Sequence, residues 1–247
     1  MGKDIVKWGS SSMCRYGLVC VVVCLLTTSM RAQRVLGTRG LMNIPTAEMH
    51  PAGTFDGGAS LVQKQLTADD YDYYTGIYYI DFTPFSFMEI TLRETLLKTW
   101  KGDKRGFYQQ DRSSTLRVQP LRHREGKWLP DVVLGVNDIY SDRGGSHYTA
   151  AYGVLTEHIP LKGIGRLAVT AGYAKPFDIG DSYDGVFGGF SFSPELMPRL
   201  QFMAEYDTRA FNAGATVLLW NHLNVTCFTR EFKGVNGTLG YQYTIKY

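Results

Sequence analysis

Cysteine is scarce in this chain, and badly placed for a structural role. Of four cysteines in 247 residues, Cys14, Cys20 and Cys24 fall within a leader-like N-terminus. Residues 1–32 have the pattern of a secretory signal: Lys3, Lys7 and Arg15 supply positive charge, and residues 16–26 (YGLVCVVVCLL) form an eleven-residue apolar run. A helix crossing a bilayer needs about 20 apolar residues, so this run is too short to be an anchor and reads as a signal removed after Ala32, leaving Gln33 first. Val precedes both Cys20 and Cys24, where a lipidation site calls for a small residue. After cleavage Cys227 stands alone, which excludes an internal disulfide and a stapled secreted miniprotein.

Excess charge of one sign is absent too. The signal carries Lys3, Lys7, Arg15, Arg31 and Asp4, so 26 basic and 23 acidic residues become 22 and 22 in the mature chain. A balanced chain argues against a nucleic-acid partner. No second apolar run is long enough for a transmembrane helix. The histidines His50, His123, His147, His158 and His222 show no metal-ligand spacing to one another, to cysteine or to paired carboxylates. The pairs Gly144–Gly145 and Gly188–Gly189 lack the strand–loop–helix setting of a phosphate cradle. The expectation is a non-enzymatic protein with no cofactor, no metal and no catalytic residue.

Aromatics and glycine are plentiful: 16 Tyr, 13 Phe and 27 Gly. They favour strands and tight turns. Twelve candidate strands recur at the spacing of all-β folds: 54–64, 72–82, 86–95, 113–120, 131–139, 148–157, 165–174, 186–193, 199–207, 210–220, 222–230 and 236–247. Alternation is clear in several. Leu200, Phe202, Ala204 and Tyr206 oppose Gln201, Met203, Glu205 and Asp207; Leu167, Val169, Ala171 and Tyr173 oppose Arg166, Ala168, Thr170 and Gly172. The final segment sets Tyr241, Tyr243, Ile245 and Tyr247 against Gln242, Thr244 and Lys246. The strand at 113–120 is weakened by Pro120, which cannot donate to a ladder. The polar faces are mixed Thr, Asn, Gln and Gly rather than Lys- and Glu-rich, which fits a barrel lumen better than a solvated sandwich face. Segments 96–112, 140–147 and 175–185 read as long loops at one end. Turns at 83–86, 158–160 and 193–198 lie at the other, where 121–130 is long for a turn.

Three stretches bear a further resemblance. Residues 40–47 (GLMNIPTA) are followed by 53–55 (GTF), then 129–139 (LPDVVLGVNDI) and 200–207 (LQFMAEYD). Together they resemble the YjbH-type proteins, with Gly40, Pro45, Thr46, Ala47, Gly135 and Asp138 as the family-like positions. The resemblance spans most of residues 36–247. It implies an outer-membrane β-barrel associated with exopolysaccharide production. Longer members carry a second barrel-like half, for which this chain has no room.

The organisation expected is therefore a cleaved signal (1–32), an N-terminal segment at the periplasmic mouth (33–53), and an antiparallel transmembrane β-barrel of about 12 strands (54–247). The N-terminal segment either enters or caps that mouth or is an ordinary lead into the first strand. The lumen-lining candidates are Glu89, Arg93, Arg166, Glu205, Asp207 and Asn224, which either line a sugar or cation path or pair across the barrel to fill it. The cluster Tyr71, Tyr73, Tyr74, Tyr78 and Tyr79 reads as an interfacial girdle or, alternatively, a sugar-stacking platform. The function expected is surface-polysaccharide export or assembly in the outer membrane of a Gram-negative-type bacterium. The partners expected are outer-membrane lipid, polysaccharide, export-machinery proteins and, through the C-terminal strand, the barrel-assembly machinery. A small passive porin-like channel and a structural or adhesive surface protein are the alternatives.

Overall fold

The computed structural model describes residues 32–64, 73–123, 129–141, 148–177 and 184–245. Except for Ala32, the expected signal lies outside them. The described chain is all-β. Its twelve strands are β1 (Thr54–Val62), β2 (Thr75–Phe85), β3 (Met88–Lys101), β4 (Lys104–Leu121), β5 (Asp131–Ser141), β6 (Ala150–Leu161), β7 (Gly165–Pro176), β8 (Gly185–Pro194), β9 (Leu200–Tyr206), β10 (Phe211–Leu219), β11 (Leu223–Arg230) and β12 (Lys233–Thr244). Each strand pairs antiparallel with its neighbours in sequence. The sheet then closes on itself as β1 pairs β12, from Thr54 opposite Thr244 to Leu61 opposite Gly237. Closure removes the sheet edges that would otherwise invite pairing with other chains.

Alternation sorts the side chains between the two faces of the wall. In β2, Tyr79 and Asp81 are buried at 3% and 0% exposure, while Tyr78 and Ile80, which alternate with them, are 51% and 60% exposed. The same rule turns Leu92, Leu134, Val169, Phe190, Phe202, Leu239, Tyr241 and Tyr243 outward. Thr91, Thr115, Thr156, Thr170, Thr216, Thr226 and Thr238 are buried within. The result is an apolar exterior around a polar interior, the reverse of a soluble fold.

The long connections depart from expectation at one place. Segment 96–112 is not a loop: β3 and β4 run on as a hairpin that turns at Gly102 (φ 61°) and Asp103. Lys98 pairs with Phe107 and Trp100 with Arg105, beyond the last residues these strands pair to β2 and β5. Its tip holds together through Lys98, whose ammonium lies 5.2 Å from the Tyr73 ring and 5.0 Å from that of Phe107. Alternating charge and aromatics hid the strand. The expected turn at 158–160 is likewise corrected. His158, Ile159 and Pro160 lie within β6, opposite Ala168, Leu167 and Arg166, and the turn falls at residues 162–164. Pro120 sits inside β4, where the register with β5 shifts between Val118 and Leu121; a bulge is where a strand tolerates a residue without an N–H. Parts of the expected loops 140–147 and 175–185, and of 121–130, lie outside the described residues.

The barrel interior is occupied by the chain's own residues 32–50, of which all but Asn43 and Glu48 are buried. This segment adds no strand to the sheet. It folds on itself: Val35 donates its amide to the Met42 carbonyl (2.8 Å), Leu41 donates to Ile44 (3.0 Å), and Gly37 takes a left-handed turn (φ 87°). Glycine is required there, since a Cβ would lie 2.4 Å from the Tyr79 ring. Its apolar residues Leu36, Leu41, Met42, Ile44 and Met49 pack with Val133, Val154, Phe187, Met203 and Phe228 of the wall.

Candidate functional site

Carboxylates and guanidinia from the wall hold this luminal segment by its backbone. At the C-terminal end of β9, Glu205 is 3% exposed. The amides of Met42 and Ile44 donate to its Oε2 at 2.9 and 3.4 Å, and that of Asn43 donates to its Oε1 at 2.7 Å. Asn43 Nδ2 donates to Asp207 Oδ2 (3.1 Å), and Asn212 Nδ2 bridges Glu205 and Asp207 at 3.0 Å to each. Four N–H donors thus converge on the Glu205 carboxyl and offset part of the cost of its burial. The tight turn around residues 42–44 points three successive N–H groups at one place. Pro45, bridged to Gly40, ends that turn with an extended backbone.

Further along, Ala47 donates its amide to Thr156 Oγ1 (2.8 Å) and accepts from Gln119 Nε2 (2.7 Å). Arg117 donates through Nη2 to the carbonyls of Thr46 and Glu48. Its Nη1 meets Glu89 Oε1 at 2.7 Å, with both side chains at 0% exposure. At the other end of the segment, Ser60 Oγ donates to the Val35 carbonyl (2.9 Å) and Arg34 Nη2 to Asn137 Oδ1 (3.3 Å). Arg39 Nη2 lies 2.6 Å from His50 Nδ1, which ties the two arms of the segment together.

Arg93 reaches across to Asp138 with both carboxylate oxygens in contact, 2.6 and 2.7 Å from Nη2. Asp138 adopts φ 54°, a region that Asp enters more readily than most residues. Gly135 lies beneath the Tyr152 ring, whose nearest atom is 2.2 Å from where a Cβ would stand.

Two of the stretches singled out in the sequence thus meet inside the barrel, where 40–47 is cradled by Glu205 and Asp207; in the third, Asn137 and Asp138 hold Arg34 and Arg93. Of the lumen-lining candidates, Glu89, Arg93, Glu205 and Asp207 lie in this network. Asn224 is buried near the short-turn end, its Nδ2 3.5 Å from Gln242 Oε1. Arg166 stands apart: it keeps the inward register of β7 but is exposed at the rim, opposite Pro160 and Ser193. Asn236, like Asn224, is buried. The tyrosine cluster divides by alternation. Tyr74 and Tyr78 are exposed, but Tyr73 and Tyr79 are buried, so they belong to no girdle; Tyr71 lies outside the described residues. Arg117, Gln119, Thr156 and Asn212 went unnoticed in the sequence, as did Arg34 and Arg39 within the luminal segment. Among the described residues no group of three or more His, Cys, Asp or Glu is placed to hold a metal ion.

Against known proteins, no curated protein matches the chain. A family model does: YjbH, described as "Exopolysaccharide biosynthesis protein YbjH", over residues 32–226, from the first buried residue of the luminal segment into β11.

Proposed function

Since the chain belongs to the YjbH exopolysaccharide biosynthesis family, we propose that it is an outer-membrane barrel that takes part in exopolysaccharide export or assembly and does no covalent chemistry itself. The observation that carries this reading is the pairing of that family membership with a closed barrel whose exterior is apolar all round. Leucine, valine, phenylalanine and tyrosine side chains exposed in an unbroken wall are stable against lipid and costly against water. A signal peptide cleaved near Ala32 supplies the route, and the outward aromatics Tyr241 and Tyr243 of β12 supply the C-terminal strand by which an assembly machinery takes up a barrel. Polysaccharide and other export proteins are its proposed partners.

The filled interior supports a component that stays shut at rest, rather than a passive pore. Deleting the gene and measuring surface polysaccharide tests the role: reduced or mislocalised glycan is expected, and unchanged glycan would remove it. The porin-like alternative draws on the polar threonine-lined wall. It requires steady ion conductance from the purified protein in a planar bilayer, where we expect the intact chain to be shut most of the time and to carry no steady current.

A further inference from the structure

We propose that residues 33–50 are a displaceable plug, and that the lumen they vacate is the binding path for a single extended, hydroxyl-rich glycan strand. The proposal rests on the polysaccharide reading above and deepens it.

The plug is bound in an exchangeable way. It joins no strand of the barrel, and much of its polar anchorage runs from wall side chains to its own backbone: Glu205 to three amides, Thr156 to one, Arg117 and Gln119 to carbonyls. Those wall groups recognise N–H and C=O without regard to sequence. The same donors and acceptors satisfy sugar hydroxyls, each of which donates once and accepts twice. A filler selected only to pack a core has no need of such a wall, because apolar residues of similar volume do as well.

The wall also holds more polar capacity than the plug uses. Glu89 Oε2, Tyr79 Oη, Gln201 Oε1 and Asn212 Oδ1 have no hydrogen-bond partner although their side chains are buried. Buried polar atoms are ordinarily satisfied, and each one that is not costs free energy. An occupant richer in hydroxyls than residues 33–50 would satisfy them. The plug folds back on itself twice, at Gly37 and at residues 42–44, so the space it leaves is at least as wide as one extended chain.

The test uses the mature chain from Gln33 in lipid bilayers, with Cys227→Ser removing the outward thiol and Ala47→Cys with Thr156→Cys placing a disulfide between plug and wall. Oxidised protein should be silent. The same molecules after reduction should open transiently, and Glu205→Gln, whose Nε2 cannot accept either of the two N–H groups that one carboxylate oxygen holds, should raise the open fraction at least about tenfold. Linear glucose oligosaccharides should block the open current more strongly than polyethylene glycol of equal size. Correctly folded barrels that stay silent after reduction and in Glu205→Gln would show the segment to be fixed core and overturn the proposal. Openings that polyethylene glycol blocks as well as sugar does would overturn the glycan path. Because these readings are made on purified protein, they stand apart from the cellular glycan phenotype, whose absence would remove the export role and not the site.

Discussion

Arg117 and Glu89 meet 2.7 Å apart with neither side chain exposed, so each is the other's main compensation for burial. Breaking such a pair from one side leaves an uncompensated charge and costs about 3–5 kcal/mol, whereas replacing both by neutral residues costs much less. Arg117→Met should therefore lower the unfolding midpoint in urea sharply, and Arg117→Met with Glu89→Gln should recover most of the loss. A double variant as unstable as the sum of the singles would mean that the pair is not the source. Gly135→Val should destabilise by about 1–3 kcal/mol through overpacking against Tyr152, which a smaller partner, Tyr152→Ala, should relieve in part. Glu89, Arg93, Glu205 and Asp207 were legible as inward residues because alternation needs only their parity. Arg117 obeys the same rule and lies between Thr115 and Gln119, but Pro120 made its strand look doubtful. Arg34 and Arg39 were not legible, since an irregular segment has no period from which to read a side chain's direction.

At the scale of elements, twelve strands expected became twelve strands found, because turn residues and alternation agree through most of the chain. The error lay where they disagree. The β3–β4 hairpin carries Lys98, Lys101, Lys104 and Arg105 among its aromatics, and such composition reads as a loop. Cross-strand pairing and the cation–π contacts of Lys98 make it a ribbon instead. The ribbon tip pairs with no other strand, so replacing residues 99–106 with Asn-Gly, which closes Lys98 onto Phe107, should leave the barrel intact. An unchanged heat-dependent shift in gel migration is the expected outcome; its loss would place the tip within the barrel's own folding unit. The Gly40–Pro45 bridge shows the opposite limit. The sequence marks a turn there, but only the closed barrel reveals that the turn aims its amides at Glu205, 161 to 163 residues away.

The whole molecule is a wall that is apolar outside and polar within, closed over its own N-terminal segment. Leu92 faces outward at 58% exposure near the middle of the wall. In a membrane, Leu92→Arg should cost about 2–4 kcal/mol and lower the amount of folded barrel; on a water-exposed surface the same change would fall within about 0.5 kcal/mol. The central claim is that this wall sits in an outer membrane, and separation of membranes followed by gel migration with and without boiling tests it most directly. The account predicts the protein in the outer-membrane fraction, migrating differently before and after heating as a folded barrel does. Recovery in the soluble periplasmic or secreted fraction, with no shift on boiling, would contradict it and the export role together.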